Sequence, residues 1–187
     1  MSEMTVIERA LKISDWMVNI RRDFHRHPEL SGQEKRTRDM IIKYLEELKI
    51  PYKTFNHHYG VVGLIEGSGN LSVALRADMD ALPIQDKKTV EYASQNKGVM
   101  HACGHDAHMV VLLGAARLLA EERKSLKGNV LLVFQPAEET TGGAKQMIED
   151  GIFDENTKAI FGLHVSTELT TGKIGIRYGQ MNAASDM

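Results

Sequence analysis

The chain has 187 residues, a formal net charge of −2 and a hydrophobic share of 42%, which suits a globular chain that buries a core. With a pI near 6.4, it lacks the clustered positive charge that a nucleic-acid or anionic-membrane partner would need. Its one cysteine, Cys103, excludes an internal disulfide framework. No apolar run reaches membrane-spanning length, and Glu3, Glu8 and Asp15 occupy the stretch where a secretory signal would be basic and then apolar. A cytoplasmic protein is the expectation.

In chain order, residues 4–27 read as an amphipathic helix ended by Pro28. Ser31 and Glu34 have capping-box spacing and predict a second helix over about 32–48. Val61–Glu66 and Leu71–Ala77 read as strands joined by the turn Gly67-Ser68-Gly69-Asn70, a predicted hairpin. His57 and His58, in the polar loop before them, read as surface residues. Met109–Glu122 is a strongly apolar helix, and Asn129–Gln135 is a continuous apolar run expected of a strand buried on both faces. A short helix follows at Gly143–Asp150, then strands at Ala159–Val165 and Lys173–Tyr178. Strands alternating with helices predict an α/β fold: a mixed, largely parallel sheet with helices on both faces. The chain stops after the small-residue run Asn182–Ser185 without a folding signal, so the domain is expected to be incomplete at its C-terminus.

Three apolar strands finish on acidic or imidazole groups: Asp78 and Asp80, Glu138 and Glu139, and His164. In open α/β sheets, ligands bind beyond the carboxyl ends of the strands. If these strands are parallel neighbours, the polar groups meet at one spot, but a sequence does not give strand order. The segment His101-Ala102-Cys103-Gly104-His105-Asp106 adds a thiol and more imidazoles. Cys103 and His105 are two apart and cannot share a helix face, whereas a turn at Gly104 would let both reach one ion. Thiolate, imidazole and carboxylate together suit a borderline divalent ion. Each residue alone has a plainer reading: Cys103 as a small core residue, His164 as a core histidine, the glutamates as a solvated loop, Asp78 and Asp80 as turn residues, and Asp106 and His108 as a helix start.

Arg76–Pro83 (RADMDALP), His101–Met109 (HACGHDAHM), Leu132–Glu139 (LVFQPAEE) and Gly162–Val165 (GLHV) resemble the metal-dependent aminoacylase and carboxypeptidase family. Together with Arg21–Glu34 (RRDFHRHPELSGQE), they are most similar to its hippurate hydrolase and auxin-conjugate hydrolase branch. The resemblance implies a metal-dependent hydrolase of the amide bond in N-acyl amino acids, using two divalent ions, manganese or zinc. It implies metal ligands at Cys103, His105, Glu139 and His164, and Glu138 as the general base toward a metal-activated water. Asp78 would take the place of an aspartate that supports a ligand histidine, although the position of that histidine is Arg76 here. Ser166-Thr167 and Thr140-Thr141 stand where the branch usually has Trp-Pro and Gly-Pro. Members of the family also carry a lid and dimerisation domain and a returning C-terminal part of the catalytic domain with one more ligand histidine. Residues 1–187 therefore read as the N-terminal part of a catalytic domain, with homodimerisation expected of the full-length protein. For this chain alone, weak metal occupancy, little activity and some self-association are expected. The alternatives are a non-catalytic metal-binding or regulatory remnant of the same fold, and a thiol amidase with Cys103 as nucleophile and His105 as base.

Overall fold

In a computed structural model, residues 4–140 and 142–179 are described. The elements in chain order are helices α1 (Val6–Lys12), α2 (Ser14–Arg26) and α3 (Lys35–Glu47), strands β1 (Tyr52–Thr54), β2 (Val61–Ile65) and β3 (Ser72–Asp78), helix α4 (His105–Glu121), strand β4 (Asn129–Gln135), helix α5 (Gly143–Glu149) and strand β5 (Thr157–Gly162). The strands form one sheet in the order β1-β2-β4-β3-β5. β3 is parallel to both β4 and β5, while β2 is antiparallel to β4 and to β1. Four of the five strands thus point one way, and only β2 is reversed, which matches the expected mixed, largely parallel sheet.

β4 is central because it is apolar on both faces. Val130, Leu132 and Phe134 enter the larger core with Ile20 and Phe24 of α2, Ile41 and Leu45 of α3, and Met109, Leu112 and Leu113 of α4. Val133 and partly buried Leu131 face the other way, onto Phe55, Val62, Ala74 and Met147 of α5. Helices therefore cover both faces, as predicted. Among the described residues no helix is long and apolar enough to cross a membrane.

The expected β2–β3 hairpin does not form. β4 inserts between the two strands, pairing Val62 with Val133 and Leu75 with Leu132. A strand buried in the middle of a sheet has its backbone groups paired on both edges, and the link between β2 and β3 runs close past β4's approach: a Cβ on Gly67 would lie 2.2 Å from the Gly128 carbonyl oxygen.

The predicted first helix is two. α1 carries its own capping box, in which the Thr5 hydroxyl accepts from the Glu8 N–H and the Glu8 carboxylate accepts from the Thr5 N–H. The break at Ile13 lets α1 leave Val6, Ile7 and Leu11 exposed while α2 turns Ile20 and Phe24 inward. Nor is there a capping box at Ser31 and Glu34. Gly32 has φ +74° and delays the helix to Lys35. The exposed N–H groups of α3 are met instead by Glu29, whose carboxylate accepts from the N–H groups of Arg36 and Thr37. α4 begins at His105 rather than Met109, β5 ends at Gly162 rather than Val165, and β1 was not foreseen. Lys173–Tyr178 is irregular backbone, not a strand. Thr141 and the Asn182–Ser185 run lie outside the described residues.

β5 is an edge strand with little cover. Ile160, Phe161, Leu163 and Val165 are all about half exposed or more, and Ile174, Ile176 and Tyr178 more so.

Candidate metal and catalytic site

Parallel pairing of β3 with β4 sets Asp78 opposite Gln135, and pairing of β3 with β5 sets Arg76 opposite Gly162. The three strands therefore end at one edge of the sheet, and the chain leaves them through Asp78–Asp80, Pro136–Glu139 and Leu163–Val165. The His101–His105 turn closes the fourth side. Gly104 precedes α4 with φ +91°, a left-handed conformation that glycine adopts without cost. A Cβ there would lie 2.3 Å from Val165 Cγ2, so the residue also lets the two loops touch.

The site residues expected from sequence come together here. Cys103 Sγ is 3.3 Å from His164 Nε2. Cys103, His105 and His164 offer donor atoms within 4.8 Å of one another, as do His105, Glu138 and Glu139. His105 belongs to both groups and is buried, while Glu138 and His164 are exposed and Glu139 is half-buried. His105 Nδ1 donates to the Asp80 carbonyl oxygen at 2.9 Å, which leaves the Nε2 lone pair facing the cleft. That Nε2 lies 3.8 Å from Glu139 Oε1, and both atoms are buried without a hydrogen-bond partner. Buried polar atoms are ordinarily paired, so two orphans that face each other fit a cation between them.

The electrostatics fit as well. Burial, then the Glu139, Asp78 and Glu138 carboxylates, push the Cys103 thiol up to about 12. Burial depresses the His105 pKa, but Asp80, Asp78 and Glu139 outweigh it and hold the ring above its ordinary value. The share of each effect that comes from the carboxylates reflects negative charge that a divalent ion would neutralise. A thiol held so high is a poor nucleophile. Moreover, the imidazole that Cys103 Sγ meets, at 3.3 Å, is that of His164 and not His105, which argues against the thiol-amidase alternative.

Asp78 lies beside the donor groups. Its carboxylate takes 2.6 Å bonds from Arg76 Nη1 and His108 Nδ1 and stands 3.6 Å from His105 Nε2. Two residues read as simple turn and helix-start groups do more. His108 links Asp78 to the His164 loop, since its Nε2 accepts the Val165 N–H at 2.9 Å. Asp80 accepts from Ser31 Oγ at 2.6 Å and from the Glu139 N–H at 3.0 Å. Burial opposes ionisation of Asp80, yet bonds from His105, Ser31 and Glu139 bring its pKa to about 2. The signal for both was in the sequence: His105 and His108 are three apart on one helix face, and Asp78 and Asp80 flank one residue at a strand end.

Of the pair read as surface, His57 is exposed but the His58 side chain is buried. His58 Nδ1 accepts the Gly60 N–H, so Nε2 carries the proton and donates to Asp150 at 2.8 Å. This satisfied imidazole has no lone pair to offer a cation, so His57, His58 and Asp150 form a tether between the 56–60 loop and the end of α5.

Fold and donor set together define an α/β domain with a cluster of metal-ligand side chains beyond the ends of its parallel strands, and the comparisons with known proteins narrow it. Residues 74–183 match the family described as Peptidase family M20/M25/M40. IAA-amino acid hydrolase ILR1-like 4 of Arabidopsis thaliana is 51% identical over 185 residues, 98% of this chain and 42% of that protein. N-acetyl-L-cysteine deacetylase of Bacillus subtilis is 47% identical over 171 residues, 91% of this chain and 41% of that protein. The crystal structure of the Bacillus subtilis YXEP protein, described as a dinuclear metal binding peptidase from the M20 family, is similar with a TM-score of 0.83 and 40% identity over 92% of this chain and 47% of that chain. The chain belongs to peptidase family M20/M25/M40. It spans less than half the length of the relatives it matches, and those relatives are named hydrolases.

Proposed function

We propose that this chain is the N-terminal part of the catalytic domain of a cytoplasmic, metal-dependent amidohydrolase that cleaves the amide bond of N-acyl amino acids. The observation that carries the reading is the facing pair of unpartnered buried atoms, His105 Nε2 and Glu139 Oε1, beside Cys103 and His164. The named activities of the relatives, hydrolysis of IAA-amino acids and deacetylation of N-acetyl-L-cysteine, support the substrate class.

In this reading Cys103, His105, Glu139 and His164 hold the metal. The mixed donor set suits two manganese or zinc ions, in keeping with the dinuclear site named for the Bacillus subtilis neighbour. When bound, such ions supply Lewis-acid activation of water and of the amide carbonyl. Glu138 is the proton carrier: it sits one residue from Glu139 yet is exposed, so it would take a proton from the attacking water and return it to the leaving amine. A positioned acid–base group of this kind contributes roughly a hundred- to ten-thousand-fold. Asp80 fixes the His105 ring, and Asp78 with His108 steadies the His164 loop. The complete protein is a homodimer through a domain beyond these residues, and the 187-residue chain alone binds metal weakly and turns over little substrate.

The test is metal analysis by mass spectrometry of this chain and of the full-length protein, with hydrolysis assays on a panel of N-acyl amino acids. The reading predicts two ions and chelator-sensitive hydrolysis in the full-length protein. A full-length protein that binds two ions yet hydrolyses none of the panel would favour the regulatory remnant instead.

A further inference from the structure

Glu34 is a carboxylate in an unusual place. It is fully buried, its side chain does not cap α3, and its Oε2 has no hydrogen-bond partner. Its Oε1 accepts the N–H of Ala137 at 2.8 Å, across 103 residues of sequence. A buried carboxyl group left half-satisfied disfavours the folded state, so its one bond calls for a reason.

Ala137 supplies it. Among the described residues, Ala137 and Lys49 are the non-glycine residues with positive φ, and that of Ala137 is +50°. Side chains disfavour this conformation, and Ala137 stands immediately before Glu138 and Glu139. The backbone of this turn is tied on three sides. Glu34 takes the Ala137 N–H, the Gly143 N–H donates to the Ala137 carbonyl at 3.2 Å, and Asp80 takes the Glu139 N–H. Ser31, three residues before Glu34, donates to that same Asp80 oxygen. The short segment between α2 and α3 therefore braces the acidic turn from behind.

We infer that Glu34 is a positioning residue: its bond to Ala137 holds the left-handed turn that aims Glu138 and Glu139 into the cleft. The inference rests on the metal-site reading above, but its geometry can be tested without metal.

The experiment compares Glu34→Gln, Glu34→Leu and Glu34→Leu/Ala137→Gly in the full chain. The Gln amide oxygen can still accept the Ala137 N–H; Leu cannot; glycine adopts positive φ without a brace. Two readouts are taken: amide hydrogen exchange at Ala137, with Leu132 and Phe134 of β4 as controls, and titration with Co²⁺ alone. Loss of a bond that leaves the Ala137 N–H without its acceptor predicts that Glu34→Leu speeds Ala137 exchange and weakens Co²⁺ binding by about tenfold. The β4 amides should stay protected, and Glu34→Gln should stay close to wild type. The double variant should regain Co²⁺ affinity while its residue-137 amide stays fast. A merely structural role would move β4 protection together with Co²⁺ affinity and would not be rescued at position 137. Unchanged Ala137 exchange in Glu34→Leu, or no rescue by Ala137→Gly, overturns the inference. If Glu34→Leu alone does not fold, the double variant decides: folding with near wild-type Co²⁺ affinity supports the brace, and failure to fold overturns it. Because the 187-residue chain alone is expected to bind metal weakly, the Co²⁺ titrations are run in the full-length protein; if that wild-type protein binds no Co²⁺, the metal-site reading fails, and the Ala137 exchange data judge the brace by themselves.

Discussion

Cys103 Sγ and His164 Nε2 are 3.3 Å apart although 61 residues separate them, and Gly104 is what lets their loops meet. Gly104→Ala meets both a left-handed φ and Val165 Cγ2 at 2.3 Å. Strain of this kind costs roughly 1–3 kcal/mol, and the alternative is displacement of the Val165 loop with His164. Denaturant unfolding and Co²⁺ titration should both show the loss. A variant matching wild type in each would mean that the two loops do not depend on one another.

Glu138→Gln in the full-length protein keeps the shape of the turn and removes the proton carrier. Metal content should be unchanged, while turnover falls roughly a hundred- to ten-thousand-fold. Loss of metal instead would make Glu138 a ligand and refute its role here.

Metal binding should release protons. The Cys103 thiol is pushed up to about 12, and His105 is held above its ordinary value by Asp80, Asp78 and Glu139 against the effect of burial. Both must give up protons to become ligands, so affinity rises with pH. Calorimetry of Co²⁺ binding in two buffers of different ionisation enthalpy reads the released protons directly, and a heat independent of buffer would contradict this. For the same reason, metal-free Cys103 should be alkylated slowly near neutral pH, and a full-length enzyme should be stopped by chelators.

His108→Leu would strip the Asp78 carboxylate and the Val165 N–H of their shared partner. Unpaired groups of this kind cost about 1–3 kcal/mol each where buried. Stability should fall by that order, and Co²⁺ affinity with it, because the His164 loop is released. Full affinity in a folded variant would show that His108 does not govern His164.

Asp86 offers a pH test away from the metal site. Burial raises its pKa, but the N–H groups of Ser94 and Lys88 and the Lys88 ammonium outweigh that and lower it to about 2. A carboxyl whose folded pKa is depressed contributes stability above its unfolded value of about 4. That contribution is lost as pH falls from there toward about 2. Asp86→Asn should therefore be less stable than wild type by about 1–3 kcal/mol at neutral pH, and the gap should narrow steadily below about pH 4. A gap that does not change with pH would mean that the charge of Asp86 is not what organises its loop.

Local pattern alone determined much of this protein. The two-sided apolar run Asn129–Gln135 has strand length and read as an interior strand, because each face of it needed cover. The acidic and imidazole groups at strand ends could be named as candidates because that edge of a parallel sheet is open to ligands. What the tertiary structure decided was everything that depends on elements distant in the chain. β4 separates β2 from β3, where a glycine-rich link suggested a hairpin, since turn chemistry shows that the chain bends but not which strand lies beside which. Ser31 and Glu34, spaced like a helix cap, turn away from α3 to hold Asp80 and Ala137, because a hydrogen bond across the core competes with one to the adjacent backbone and sequence spacing records only the second. His108 and His58 became paired, buried groups by the same cause: a side chain's partner is fixed by packing, which brings together residues that no local pattern connects.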